Sequence, residues 1–199
     1  MRHPAHPDAR TALFATRAWV EHAVIGLNLC PFAKAVQAKG LVRWVCSDAR
    51  DTQALLADLA TEMQRLRDTP AAQIDTTLLV HPWVLNDFAD YNQFLDEADA
   101  LLESLGLHGV LQVASFHPQY QFAGSAPDDI GNATNRSPFP TLHLLRESSV
   151  ERAVAAFPDA ERIYELNVRT LRGLGPQGWA ALQAQCLCEA LHDDADARE

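Results

Sequence analysis

Three observations predict that the chain adopts a layered α/β fold, with a sheet of about four strands flanked by helices. Short apolar segments alternate with helical segments, in the order strand, helix, strand, helix, strand. Two of the apolar segments end in the same dipeptide, at His81–Pro82 and His117–Pro118. No repeat or linker divides the sequence. This order favours an at least partly parallel sheet. A ferredoxin-like α+β fold is the alternative, which applies if the fourth strand returns antiparallel.

The length of 199 residues fits one domain with a sizeable core. We expect a single globular domain over residues 10–190. Residues 1–9 and 191–199 are expected to be flexible ends, and five of the last eleven residues are acidic.

The first part of the chain combines a helix with a strand. Residues 10–28 fit a helix because apolar side chains recur close to helical spacing, at Leu13, Val20, Val24 and Leu27. Pro31 can open a short second helix. Residues 41–46 then form the first predicted strand.

The middle of the chain contains two helices around a β-rich segment. A helix is predicted over residues 50–68, with Ser47 or Asp48 as its cap. Residues 76–80 form the second strand, and an acidic helix follows over residues 87–105.

The last part contains two strands and then helices. Residues 110–115 form the third predicted strand and residues 141–145 the fourth. Residues 148–151 have the spacing of a capping box, which starts another helix. Two further helices are predicted to meet between Gly173, which ends one, and Pro176, which opens the next.

Composition excludes several classes of protein. The chain has 26 acidic and 16 basic residues, for a net charge of −10, which argues against a nucleic-acid partner. No segment approaches the roughly 20 apolar residues that span a membrane. The four cysteines show no CxxC pair, so we expect a reduced, cytoplasmic protein.

Residues 112–147 are the most informative segment. An apolar strand is followed by about two dozen residues without helix or strand periodicity, and loops longer than roughly 12–15 residues are usually functional or disordered. This loop is not typical of disorder, because it contains aromatic residues. We therefore place the candidate site at residues 116–140, together with the strand ends.

Histidines follow two of the strands. His81 and His117 would share a site if strands two and three are neighbours, because ligands bind beyond the carboxyl ends of parallel strands. His143 would join them if the fourth strand is adjacent. Such residues can act as acid/base groups or hold a divalent metal, zinc or iron. The alternative is that they are hydrogen-bonded structural residues.

Polar loop residues supply the other candidates. Asp128 is a candidate general base or metal ligand. Arg136 can hold a carboxylate or phosphate, with Asn132, Asn135 and Tyr120 as further substrate-binding candidates. The alternative is that such side chains satisfy the backbone of the loop itself.

Cys30 is a separate catalytic candidate. Its position before Pro31, at a possible helix N-terminus, would lower its thiol pKa and permit nucleophilic or redox chemistry. The alternative is a small, buried apolar residue.

Several segments resemble an uncharacterised bacterial family, catalogued as domain of unknown function family 1415. They lie at residues 26–34, 76–82, 87–99 and 112–147, and the similarity covers roughly residues 10–182. The resemblance implies no activity, cofactor or catalytic residue.

The function expected from the sequence is a cytoplasmic enzyme acting on a small anionic molecule, with metal dependence left open. One alternative is a non-catalytic module that binds a small ligand or partner through the same loop. The other alternative is a thiol-dependent protein that uses Cys30.

Overall fold

The computed structural model describes residues 8–157 and 162–196. Their helices and strands follow in the order α1 (Ala9–Trp19), α2 (Ala33–Ala38), β1 (Val42–Cys46), α3 (Thr52–Asp68), β2 (Thr76–Val80), α4 (Phe88–Ser104), β3 (Leu111–Phe116), β4 (Thr141–Arg146), α5 (Glu147–Ala155) and α6 (Ile163–Asp196). A π-helical segment, Val20–Ile25, continues α1, and a 3₁₀ segment, Ile130–Asn135, precedes β4. Of the expected flexible ends, residues 1–7 and 197–199 lie outside the described residues, whereas α6 extends to Asp196.

The four strands form one mixed sheet in the order β1–β2–β4–β3. β1 is parallel to β2, and β4 runs antiparallel to both of its neighbours. The predicted layered α/β architecture with a partly parallel sheet is confirmed. The antiparallel fourth strand, anticipated in the alternative, is a feature of this mixed sheet. β2 and β3 are not neighbours, because β4 lies between them. They nevertheless run in the same direction, since each is antiparallel to β4.

Helices α3 and α4 cover one face of the sheet. Each presents an apolar stripe at helical spacing, in α3 through Leu55, Leu59, Met63 and Leu66, and in α4 through Tyr91, Phe94, Ala98 and Leu102. These side chains pack on the buried sheet residues Leu79, Leu142 and Leu144. The result is the largest apolar core among the described residues.

Helices α1 and α6 lie on the other face. Trp19 of α1 packs with Leu171 and Trp179 of α6 and with Leu78 of β2. None of the described helices is long and apolar enough to cross a membrane.

The cap of α3 differs from the prediction. It is Asp51, which accepts a hydrogen bond from Ala54 N at 2.8 Å. Ser47 instead donates to Asp58 Oδ2 at 2.6 Å. The break predicted between Gly173 and Pro176 is present in α6, and its non-helical residue is Gly175 rather than Gly173. Gly175 has a φ of 71°, a conformation that glycine adopts without steric cost.

The start of α5 also differs from the capping-box prediction. The helix begins at Glu147, directly after β4, with Arg146 at the cap position and no side-chain cap. Ser149 Oγ donates to Asp75 Oδ1 at 2.6 Å, so its hydroxyl ties α5 to the start of β2.

Candidate functional site

The structure places His81 and His117 at the same edge of the sheet, and both imidazoles contact the ring of Tyr91. The ring centroids of His81 and Tyr91 are 5.7 Å apart, and those of Tyr91 and His117 are 5.0 Å apart. His81 N donates to Pro140 O, and His117 N donates to Asn135 O. The two imidazoles therefore converge although β4 separates their strands.

Both imidazoles are buried and largely hydrogen-bonded to backbone. His117 Nδ1 accepts from Gln119 N at 3.0 Å, and its Nε2 donates to Leu85 O at 3.2 Å. His81 Nδ1 donates to Val84 O at 3.1 Å, whereas its Nε2 has no hydrogen-bond partner among the described residues. Burial lowers the pKa of each histidine to about 4. These contacts are those expected of the structural alternative.

His143 lies elsewhere, inside β4. It is paired with Leu78 on one side and Ala114 on the other. Its Nε2 lies 2.7 Å from Thr76 Oγ1. In the described ranges, no three or more His, Cys, Asp or Glu side chains are grouped so that they could hold a metal ion. The geometry therefore gives no support to metal binding by His81, His117 and His143.

The polar residues of the 116–140 loop mainly satisfy the loop itself. Asn132 accepts from Phe122 N and Ser125 Oγ and donates to Ala126 O, at 2.7–3.0 Å. Asn135 donates to Ser115 O at 3.1 Å. The sequence-predicted ligand-binding amides thus hold the loop in place.

Three other loop candidates have different surroundings. Arg136 donates to Tyr120 O at 3.1 Å and to Pro127 O at 2.8 Å. Burial lowers the pKa of its guanidinium. The Tyr120 ring packs against Phe88 and Phe122. Asp128 is exposed. Its carboxylate and the guanidinium of Arg136 are not joined by an ion pair among the described residues.

A cavity of about 300 Å³ lies on the sheet face opposite α3 and α4. The inward-facing residues of the strands form its floor, among them Leu78, Ala114 and Phe116. The end of α1 with its π-helical extension, the short helix α2, and α5 form its walls. The lining is predominantly apolar. We call this space the sheet-face cavity.

His143 and Thr76 are among the polar side chains that line the sheet-face cavity. Burial lowers the pKa of His143 to about 4. Cys30 contributes a thiol to the wall, and burial raises its pKa. The buried Trp19 also lines the cavity, and within the part of the chain that the structure describes its Nε1 has no hydrogen-bond partner.

One end of the cavity is formed by Asp75, Arg146 and Ser149. The Arg146 guanidinium donates to the carbonyls of Leu66, Thr69 and Ile74. Burial lowers the pKa of Arg146. Its charge is therefore already solvated by the protein backbone.

A family match covers most of the chain that forms this cavity. Residues 11–181 match the family described as "Protein of unknown function (DUF1415)". The chain belongs to this family. Comparisons with curated proteins and with solved structures gave no match. The matched residues of this DUF1415 chain include every side chain that lines the cavity.

Cys30, predicted as a nucleophile, and His143, predicted as a metal ligand, both line the cavity of this DUF1415 protein. No motif in the sequence marks Thr76 or Trp19 as part of it. The alternation of Gln112, Ala114 and Phe116 in β3 marks one face of a strand, and all three line the cavity. The partner strand and its register cannot be read from that pattern.

Proposed function

We propose that this protein binds a small, uncharged and mostly apolar molecule in the sheet-face cavity. The observation that supports this most directly is a partly open cavity whose exposed lining is mostly apolar. Ligand sites have volumes of roughly 300–1,000 Å³ and are lined by apolar side chains with a few placed polar groups. The cavity, at about 300 Å³, has these properties.

Charge favours a neutral ligand over the anionic one expected from the sequence. Arg136, the expected anion clamp, donates to two loop carbonyls. Arg146, in the cavity wall, donates to three carbonyls. The carboxylate of Asp75 lies in the same wall and would repel an anion. An anion entering the cavity would lose its hydration without gaining a dedicated partner.

The polar groups favour binding over acid/base catalysis. A group with a pKa far below neutrality is a weak general base, and the pKa of His143 is lowered to about 4. Thiol-dependent chemistry at Cys30 is a second candidate because the thiol lies in the wall of the same cavity. The raised pKa of Cys30 keeps it protonated, which opposes that role. We place the binding in the cytoplasm, following the cysteine pattern of the sequence.

A pair of variants on α2 tests the proposal. Ala33 lines the cavity, whereas Ala35 on the same helix is exposed. The probe is N-phenyl-1-naphthylamine, an uncharged apolar dye whose fluorescence rises in apolar surroundings. We expect saturable binding to the parent and to Ala35→Phe. Binding to Ala33→Phe should be at least about tenfold weaker, because the new ring occupies cavity volume.

Circular dichroism shows whether both variants are folded. Absence of saturable dye binding to the parent would overturn the proposal. Equal dye affinity of folded Ala33→Phe and the parent would also overturn it, because the dye would then bind outside the cavity.

A further inference from the structure

The hydrogen bonds of Thr76 determine which nitrogen of His143 carries the proton. The Thr76 hydroxyl has one hydrogen, and it donates to Leu144 O at 2.6 Å. A carbonyl oxygen can only accept, so the hydrogen of Thr76 is directed there. Toward His143 Nε2, at 2.7 Å, the Thr76 oxygen is therefore the acceptor. His143 carries its hydrogen on Nε2, and its Nδ1 is left with a lone pair.

The lone pair of His143 Nδ1 is not used within the described part of the protein. His143 forms its hydrogen bond through Nε2. Nδ1 has no such bond there, and it is not one of the polar atoms that are fully buried without a partner. The side chain is half-buried and lines the cavity. Nδ1 is therefore an acceptor that remains accessible in a mostly apolar space.

We propose that His143 Nδ1 accepts a hydrogen bond from the hydroxyl group of the bound molecule, so that the cavity selects neutral alcohols or phenols with an apolar body. This inference rests on the proposed function and adds the chemical class of its ligand. A hydrocarbon would leave the acceptor without a partner, and a buried polar group without a partner is costly. A carboxylate would bring a second acceptor towards it.

Competition against bound N-phenyl-1-naphthylamine at pH 7 tests the inference with three matched compounds. 1-Naphthol has the donor, 1-methoxynaphthalene keeps the oxygen without the donor, and 1-naphthoate is an anion. We expect 1-naphthol to displace the dye at roughly three- to tenfold lower concentration than 1-methoxynaphthalene, the range for one net hydrogen bond. 1-Naphthoate should be the weakest competitor.

Variants assign this preference to His143. In His143→Phe the ratio between naphthol and methoxynaphthalene should fall to about one, whatever the affinity of this variant for the dye. Thr76→Val removes the acceptor that holds the proton on Nε2, so the preference should shrink there as well. Thr77→Val is the matched control. In the described ranges its hydroxyl is buried without a hydrogen-bond partner, and Thr77 is not part of the cavity lining.

Nitrogen NMR of the histidines tests the tautomer directly. We expect the Nε2–H form for His143 at pH 7 and a change in the Nδ1 shift when 1-naphthol is added. An Nδ1–H form in the parent would overturn the inference. Equal displacing concentrations of 1-naphthol and 1-methoxynaphthalene in the parent would also overturn it, as would an unchanged ratio of the two in folded His143→Phe. In both cases dye binding would still support a ligand site in the cavity. Failure of the dye to bind the parent would instead overturn the proposed function.

Discussion

The ring of Tyr91 stacks on the ring of His81, with the ring planes 17° apart. The Tyr91 ring also contacts His117, with the ring centroids 5.0 Å apart. The Tyr91 hydroxyl donates to Thr141 O at 3.0 Å and accepts from Phe116 N at 3.1 Å. The sheet edge predicted to hold a catalytic site thus contains a hydrogen-bonded aromatic cluster. We expect this cluster to contribute to stability.

Acid should destabilise the protein through His81 and His117. Their pKa is lowered from 6.5 to about 4 by burial, so the unfolded chain binds more protons between these values. Their contribution is complete above pH 6.5 and is lost as the pH falls towards 4. Each should lower the free energy of unfolding by about 2 kcal/mol between pH 7 and pH 5. Urea unfolding at both pH values measures the change.

His81→Asn tests the assignment of this acid sensitivity. The shorter side chain lowers stability at every pH, but the loss between pH 7 and pH 5 should be smaller than in the parent. His108→Gln, at an exposed position, should keep the parent's loss. An equal loss in His81→Asn and the parent would contradict the prediction.

Removal of the Tyr91 hydroxyl should weaken the connection between β3 and β4. Tyr91→Phe keeps the ring but leaves Phe116 N and Thr141 O without this partner. The free energy of unfolding should fall by about 1–3 kcal/mol. Tyr164→Phe removes an exposed hydroxyl and should have little effect. Equal denaturation midpoints for the two variants would argue against a structural role for the Tyr91 hydroxyl.

Asn132 should order the loop. Asn132→Ala removes three hydrogen bonds to Phe122, Ser125 and Ala126 from a buried position. We expect a loss of about 2 kcal/mol in stability and faster amide hydrogen exchange over residues 122–126. Asp128→Ala, at an exposed position in the same loop, is the control. Unchanged exchange in Asn132→Ala would disprove this role.

Cys30 should react slowly with thiol reagents at neutral pH. Burial raises its pKa, so little thiolate is present, whereas Cys188 is exposed. Mass spectrometry after N-ethylmaleimide treatment across a pH series measures both rates. N-Phenyl-1-naphthylamine should slow modification of Cys30 alone, since that thiol lines the cavity. Faster reaction of Cys30 than of Cys188 at pH 7 would favour the thiol-dependent alternative.

At the predicted site, the sequence indicated the positions of residues better than their roles. His81 and His117 were correctly placed at strand ends, because a proline after each residue stops an apolar strand. The roles of the two histidines could not be predicted from the sequence, because their burial and hydrogen bonds depend on other segments. Tyr91 of α4 packs against them, and the carbonyls of Val84 and Leu85 accept their hydrogen bonds. The polar side chains of Asn132 and Arg136 made them candidates for ligand binding, but the same groups can equally hydrogen-bond to the backbone of their own loop.

The sequence by itself determined the alternation of strands and helices and the separation of a polar loop from the apolar core. These features depend on periodicity and on residues close together in the chain. Only the tertiary structure decided that β4 lies between β2 and β3, and therefore that His143 reaches Thr76. It also brought Cys30 to the cavity that His143 lines. Strand order and register arise from packing between distant segments, and no local pattern encodes those contacts.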